Sequence, residues 1–278
     1  MKILELFSGT HSIGKVAHKL GHEIVSLDRD MGDTHKEYTS PKHFKEDIMT
    51  WNYKQYEPSH FDLITASPVC LYWSSLRRSW IGRKCKSIHP TEVITHKHLQ
   101  DDIDKYGKPM VDKLFEIIDY LKPKYWWIEN PQTGRMKHYI AEKYPTKNIF
   151  YDVDYCKYSN WGYQKRTRFW TNITNFKPKK CKKDCENIII NEGQKLHQQR
   201  MGTTKTVIDN GKIIRCNTKE LREKYKDKKT VKTIHAKSFG SKNKSQTCVG
   251  GGSSRLDRYR IPEKLIEELF SSINLNAV

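Results

Sequence analysis

Apolar residues fall in short blocks separated by polar turns along the first two thirds of the chain, and the period changes from block to block. Lys2–Leu6 reads as a buried strand. From Ile13, the apolar positions Ile13, Val16, Ala17 and Leu20 recur at helical spacing, and Gly21 closes that helix. Ile24–Leu27 is a second strand ending at Asp28. Phe61–Ala66 is a third, and it breaks at Ser67-Pro68 because Pro68 has no N–H to give to a ladder. Ser75–Tyr106 is polar and basic, and reads as a long functional loop. Met110–Leu121 carries Met110, Leu114, Ile117, Ile118 and Leu121 on one helical face. Tyr125–Ile128 is then a buried strand that stops in Glu129-Asn130-Pro131. A helix finishes over Tyr139–Tyr144, Ile149–Tyr155 is extended, and YQKRTRFW turns into a strand through Phe169–Thr171.

Strand, glycine-containing turn, helix, strand is the opening of a Rossmann-like α/β unit, in which ligands collect at the carboxyl ends of the strands. The turn admits two readings. Gly9 to Lys15 spells G-x-x-x-x-G-K, but Val16 stands where a phosphate-binding loop needs a hydroxyl for magnesium. G-x-G-x-x-G is also absent. Asp28, at the end of the second strand and about 20 residues after the turn, is placed to bind ribose hydroxyls. Asp47, after another short extended segment, could accept from an adenine amino group. Cys70 lies just past the third strand in a proline-containing loop. A buried inert thiol is the usual fate of a cysteine, yet this one sits where such sheets do their chemistry.

Beyond Phe176 the pattern degrades into weak strands at Asn187–Ile190, Thr206–Ile208 and Ile213–Arg215. Charge then changes the picture. The net charge is +19, and residues 175–245 hold 20 Lys and Arg against 7 Asp and Glu, a local +13. A charge so localised points to a polyanion partner. Gly250-Gly251-Gly252-Ser253-Ser254 reads as a hinge before a last helix, Pro262–Ile273. No apolar run is long enough for a membrane span, and the N-terminus, with Glu5, is not a signal peptide. Seven cysteines, an odd and scattered set, fit reduced thiols inside a cell.

Taken in order, these residues resemble the DNA (cytosine-5) methyltransferase family, in the style of its viral and phage members. Phe7-Ser8-Gly9, continuing through Thr10 and His11, is similar to that family's S-adenosylmethionine turn. Asp28 falls at its ribose carboxylate, and Glu46-Asp47-Ile48 at its adenine-reading motif. Ser67-Pro68-Val69-Cys70 resembles the nucleophile loop, Glu129-Asn130 the Glu-Asn pair, and Gln164-Lys165-Arg166-Thr167-Arg168 fits Q-x-R-x-R. The chain departs from the pattern where His11 and Ser12 replace two turn glycines, Val69 replaces a proline, Leu71 a glutamine and Pro131 a valine.

The resemblance implies an α/β, Rossmann-like S-adenosylmethionine-dependent methyltransferase sheet with a small basic target-recognition region. Residues 1–174 plus 250–278 would form the catalytic domain and 175–249 the recognition region. It implies a Cys70 thiolate that attacks C6 of a flipped cytosine, Glu129 at N3, and Arg166 and Arg168 holding the base, with Arg168 on O2. Phe7, Ser8, Gly9, Thr10, His11, Asp28, Asp47, Ile48 and Pro68 would hold the cofactor, and no catalytic metal is needed. The partner is double-stranded DNA, the protein a monomer, and its place the cytoplasm or nucleus of a host cell. RNA methylation by the same chemistry, or a catalytically silent nucleic-acid binder, remains open on sequence. So does a structural zinc at Cys181-x₃-Cys185, completed by His197, Cys216 or His235, with two ordinary reduced thiols as the alternative.

Overall fold

The computed structural model describes residues 1–29, 42–85, 89–191, 194–197, 206–210, 212–216, 219–227 and 259–274. In chain order the elements begin with β1 (Lys2–Leu6), α1 (Ser12–Lys19), β2 (Glu23–Leu27), β3 (Lys42–Phe44) and β4 (Leu63–Ala66). A ribbon of β5 (Lys84–Cys85) and β6 (His89–Val93) follows, then α2 (His96–Asp102), α3 (Lys108–Leu121), β7 (Tyr125–Pro131) and α4 (Met136–Lys143). β8 (Phe150–Asp154) and β9 (Arg166–Thr171) come next. The remaining elements are β10 (Ile188–Asn191), β11 (Gln194–His197), β12 (Thr206–Asp209), β13 (Lys212–Arg215), α5 (Lys219–Lys224) and α6 (Glu263–Asn274).

The chain divides into two compact units. The first is Met1–Val153 with Arg166–Pro178 and Ile266–Val278; the second is Asp154–Lys165 with Lys179–Leu265.

The first unit is built on a seven-stranded sheet in the order β3-β2-β1-β4-β7-β9-β8. β3, β2, β1, β4 and β7 run parallel, and β9 closes antiparallel onto β7. Parallel strands buried on both faces read as continuous apolar runs, which is why β1 and β4 stand out in the sequence. Leu114, Phe115 and Ile118 of α3 pack with Leu4, Ile64, Trp126 and Ile128 in one buried core. Side chains alternate along a strand, so Trp127 leaves β7 on the opposite face. There it meets Phe270 of α6, their rings 5.5 Å apart and near perpendicular.

Two stretches differ from the reading of the sequence. Ser75–Tyr106 is not a bare loop: it folds as a 3₁₀ turn over Ser75–Trp80, the β5–β6 ribbon, α2 and a wide turn over Ile103–Gly107 that enters α3. What organises it is buried charge, invisible to apolar periodicity. Arg77, 2 % exposed, is ion-paired with Asp102, and His89 Nε2 lies 3.0 Å from the same carboxylate. Thr95 and His98 add a reciprocal cap at the start of α2. Gly107 packs tightly, since a Cβ there would stand 3.0 Å from the Trp73 ring. β7 also runs further than expected, through Pro131. Its β4 neighbour has ended by then, and the antiparallel partner β9 carries the register on, with Pro131 opposite Thr167. The missing proline N–H is not demanded at that point.

In the second unit the basic segment forms two small antiparallel ribbons, β10–β11 and β12–β13. Val207, Cys216 and Tyr225 make a buried cluster of their own. The Gly250–Ser254 hinge and His235 lie outside the described residues. Among the described residues, no helix is long and apolar enough to cross a membrane.

Candidate active site

The strand order reverses at β1. β2 and β3 lie to one side of it, β4 and β7 to the other, and the crevice at such a switch point is where open α/β sheets bind ligands. β1 delivers the Phe7–His11 turn to this edge and β4 delivers Ser67–Cys70. Backbone bonds carry the ladder into both turns: Ser8 N–H donates to Leu27 O at 3.1 Å, and Ser67 N–H to Leu6 O at 3.3 Å.

The turn is tied to the end of β2 by Gly9 N–H, which donates to Asp28 Oδ2 at 2.9 Å. Gly9 holds φ at +45°, in the left-handed region, and a Cβ there would have only Phe7 O within 4 Å. His11, at φ +51° before the first turn of α1, adopts the same region without being a glycine. Its compensation is beneath it. Glu5, buried in β1, accepts from Gly14 N–H at 3.1 Å and from Ser26 Oγ–H at 3.0 Å, and its Oε2 lies 3.4 Å from His11 Nδ1. A carboxylate under the start of α1 also opposes the positive end of the helix dipole. Glu5 belongs to the site's support and was not read from the sequence as such, although a lone carboxylate inside an apolar strand was the available signal.

Several polar atoms at this edge lack a hydrogen-bond partner among the described residues. Ser8 Oγ is one, and both ring nitrogens of His43 on β3 are others. His43 stands edge-on to His11, ring centroids 5.6 Å apart. Burial first, then the neighbouring His11, lowers its pKa, against the pull of Asp28 and Glu5, so the imidazole is held neutral. A neutral, donor-and-acceptor set beside a carboxylate suits a nucleoside. Asp47 is exposed; it accepts from Met49 N–H at 3.0 Å and lies 3.3 Å from Arg29 Nη1. Ile48 is buried in the core.

Ala66 of β4 is in register with Ile128 of β7, so the loop to Cys70 leaves the sheet level with Glu129 and Asn130. Asn130 Nδ2–H donates to Pro68 O at 2.9 Å and fixes that loop from beneath, while Asn130 Oδ1 is buried without a partner among the described residues. Cys70 is a half-buried thiol outside any disulfide, and Glu129 is 6 % exposed. A partly exposed thiol and a buried carboxyl at the ends of neighbouring strands are the two groups that nucleophilic addition with proton transfer requires.

Arg168 stands opposite Asn130 in the β7–β9 pair, and Phe169 stands opposite Glu129. Its guanidinium is held bidentately by Asp152, Nε to Oδ1 at 2.7 Å and Nη2 to Oδ2 at 3.0 Å, and stacks 3.4 Å from the Phe150 ring centroid. Arg166 is exposed, and its carbonyl accepts from Gln132 N–H at 3.1 Å. The structure thus brings Phe7–His11 to Asp28 and Pro68 to Asn130, whereas the fork of Arg168 is engaged by Asp152, a residue the sequence did not single out. Along the segment after Cys70 lies a cavity of about 290 Å³ lined by Tyr72, Ser74, Arg77, Arg78, His96 and Arg135. Nε and Nη1 of Arg77 are buried there with no partner among the described residues.

No family model matches the chain. Among solved structures, that of the Schizosaccharomyces pombe (S. pombe) Dnmt2 methyltransferase aligns with a TM-score of 0.39 and 14% identity, covering 66% of this chain and 52% of that one. A Spodoptera frugiperda DNMT2 mutant aligns with a TM-score of 0.38 and 17% identity, over 65% and 53%. The chain therefore spans about half the length of either. A curated relative from Frog virus 3 (isolate Goorha), described as a probable DNA (cytosine-5)-methyltransferase, is 43% identical over 192 residues, which is 68% of this chain and 79% of the relative. Identity at that level over most of the relative's length is shared descent, and the chain belongs to the DNA (cytosine-5)-methyltransferase family.

Proposed function

We propose that this protein transfers a methyl group to C5 of a cytosine flipped out of double-stranded DNA, with Cys70 as the nucleophile. The observation that carries this is the meeting of two turns at one switch point: Phe7–His11, tied to Asp28, and Pro68–Cys70, tied to Asn130. S-adenosylmethionine, when bound, would supply an electrophilic methyl on a sulfonium. Phe7, Ser8, Gly9, Thr10 and His11 would cradle it, Asp28 would take the ribose hydroxyls, and Asp47, Ile48 and Pro68 would bound the adenine. The orphaned Ser8 Oγ and the pair of His43 nitrogens support that fit.

In this reading the Cys70 thiolate adds to C6 of the cytosine, and the C5=C6 electron pair moves toward N3. Glu129 donates a proton there or shares one, so that charge does not build up on the ring. C5, now an enamine carbon, takes the methyl group. Loss of the C5 proton to a base then expels the Cys70 sulfur as thiolate, and return of the N3 proton to Glu129 restores the neutral ring. Arg168 and Arg166 act on the base, Arg168 at O2. That role needs the Arg168 fork to exchange or share its Asp152 contact when a base arrives. Burial of the reacting groups requires the base outside the duplex.

Exposed Arg78 and Arg135 of the cavity after Cys70 suit the phosphates beside a flipped nucleotide, and the +13 segment supplies the longer-range attraction and the choice of sequence. Residues 1–174 plus 250–278 serve catalysis and 175–249 recognition, in a monomer that works inside a host cell, where its thiols stay reduced.

Duplex DNA carrying 5-fluorocytosine tests the reading, because fluorine blocks the last proton loss. With cofactor, the wild type should form an adduct that survives denaturation, and Cys70→Ala should form none. An adduct of equal yield with Cys70→Ala overturns the assignment. Label from methyl-labelled cofactor should appear in duplex DNA and not in transfer RNA; the reverse would move the substrate to RNA.

A further inference from the structure

The second unit contains a buried cluster that the methyl-transfer reading does not use. Cys156, Cys181, Cys185 and His197 each present one ligand atom, and all four lie within 4.8 Å of one another. Cys181 Sγ and His197 Nε2 are 3.5 Å apart. A tetrahedral zinc with bonds of about 2.3 Å to sulfur and 2.0–2.1 Å to nitrogen separates such a pair by about 3.6 Å. The thiols are free, not paired in disulfides. From these observations we infer that this unit holds a structural zinc ion in a Cys₃His site formed by Cys156, Cys181, Cys185 and His197.

The sequence offered Cys181, Cys185 and His197 for such a site, with Cys216 or His235 as other candidates. The structure brings in Cys156 and leaves Cys216 buried against Val207 and Tyr225. Cys156 was hidden because it comes from the turn after β8, far upstream of the Cys pair.

The scaffold holds the four ligands together without the metal. Asp154 Oδ2 accepts from Cys181 N–H at 2.7 Å. Asn187 Nδ2–H donates to the carbonyls of Cys156 at 2.9 Å and Ser159 at 2.7 Å, and its Oδ1 accepts from Gly162 N–H at 3.0 Å. One side chain thus staples the Cys156 segment to the residues just after Cys185. Between the two cysteines of the loop, Asp184 Oδ1 accepts from Lys182 N–H at 3.0 Å, and Lys183 takes the left-handed backbone at φ +62°. The β10–β11 register then sets His197 opposite Ile188, three residues past Cys185, so the ribbon returns the imidazole to the thiols. Three sulfurs and a ring nitrogen within 4.8 Å of one another, with no cysteine bridged, is a preformed four-ligand donor set of the composition zinc takes.

Binding is an exchange of protons for metal. Zn²⁺ takes the three sulfurs as thiolates and the neutral imidazole through Nε2, and releases the thiol protons to the buffer. Three thiolates and one zinc leave a charge of −1, which neighbouring lysines offset; Lys157 is already near, 3.2 Å from Asp184. Among the described residues the Val207, Cys216 and Tyr225 cluster is small, so a metal clip would contribute to holding this unit folded.

The test is elemental analysis of the full chain purified with no added metal and again from zinc-supplemented cells. About one equivalent of zinc is expected, retained on dialysis and lost to a strong chelator. Cobalt substitution should give the intense visible bands and sulfur-to-cobalt charge transfer of a tetrahedral thiolate site. Cys156→Ser and His197→Ala should weaken both, while Cys216→Ser should leave them intact. Because loss of a ligand can also unfold the unit, thiol labelling of the wild type provides a second reading: chelation should expose three further thiols. Less than about a tenth of an equivalent of zinc from both preparations overturns the site. So does a Cys181–Cys185 disulfide in the protein as isolated, cobalt bands that survive Cys156→Ser, or a thiol count that chelation does not change.

Discussion

Arg168 lies in a bidentate pair with Asp152, at 2.7 and 3.0 Å, with its guanidinium plane over the ring of Phe150. The pair joins β9 to β8 and pre-sets the orientation of a fork that a lysine could not reproduce. Asp152→Ala should lower stability by about 1.5–3 kcal/mol, the worth of hydrogen bonds to a charged group. Arg168→Lys should keep most of that stability in a melting curve but lower kcat by about a hundredfold, through lost orientation of the base. Equal losses of stability and turnover in both variants would make Arg168 a purely structural residue.

Asn130 acts on the Cys70 loop through its 2.9 Å bond to Pro68 O. Asn130→Ala leaves that carbonyl unanswered and should cost about 1–3 kcal/mol. In the proposed reaction it should lower kcat about tenfold or more with a much smaller change in KM for DNA, because it positions the thiol and does not touch substrate. Asn130→Asp, which keeps the shape but removes the donor, should fail in the same direction. A change confined to KM would assign Asn130 to binding.

His11 holds a left-handed backbone over the buried Glu5 carboxylate. Glu5→Ala removes the acceptor for Gly14 N–H and Ser26 Oγ–H and should destabilise by about 1–3 kcal/mol. His11→Gly should relieve about 1 kcal/mol of backbone strain in the wild type and lose the contact with Glu5. The two effects oppose, so its melting temperature should move less than that of Glu5→Ala. A double-mutant cycle should show coupling between them; strict additivity would deny the contact.

Acid should unfold the first unit in two stages. The folded pKa of His43 lies below its ordinary 6.5, so the unfolded chain binds the extra proton first and stability falls as pH drops through about 6.5. Burial by itself would raise the Asp102 carboxyl, but hydrogen bonds from Arg77 and His89 outweigh it and hold it below its ordinary 3.8. Its contribution is complete above that value and is lost as pH falls through the depressed one. His43→Gln should shallow the first stage and leave the second, the remainder of the first coming from His22, whose pKa burial also lowers. Arg77→Ala strands a buried carboxylate and should cost about 3–5 kcal/mol near neutral pH. A pH–stability curve that is flat between 7 and 5 in the wild type would contradict the His43 part.

Sequence periodicity revealed β1, β2, β4, α3 and the first part of β7, because each buries an uninterrupted apolar face whose spacing survives in one dimension. Cys70 and Asp28 were legible for a related reason: they follow strands whose ends are marked by Pro68 and by the loss of apolar residues. Helix and strand periods are local. They depend on neighbours within a few positions, and so the chain itself determined them.

Pairing across distance is not local, and only the tertiary structure decided it. Nothing in the spacing of Arg77 and Asp102 shows that they share a buried bond, and their pairing is what turns the expected Ser75–Tyr106 loop into ordered elements. Asp152 meets Arg168 because β8 lies beside β9 at the sheet edge. Glu5 reaches Ser26 because β1 pairs with β2 and sets the two in register, and it reaches Gly14 because α1 folds back onto the same strands. Cys156 joins Cys181, Cys185 and His197 because a turn after β8 and a ribbon 30 residues on converge through Asn187. In each case a polar group gains its partner only when apolar packing has brought distant strands together. The burial that makes such a bond strong is itself a property of the folded chain.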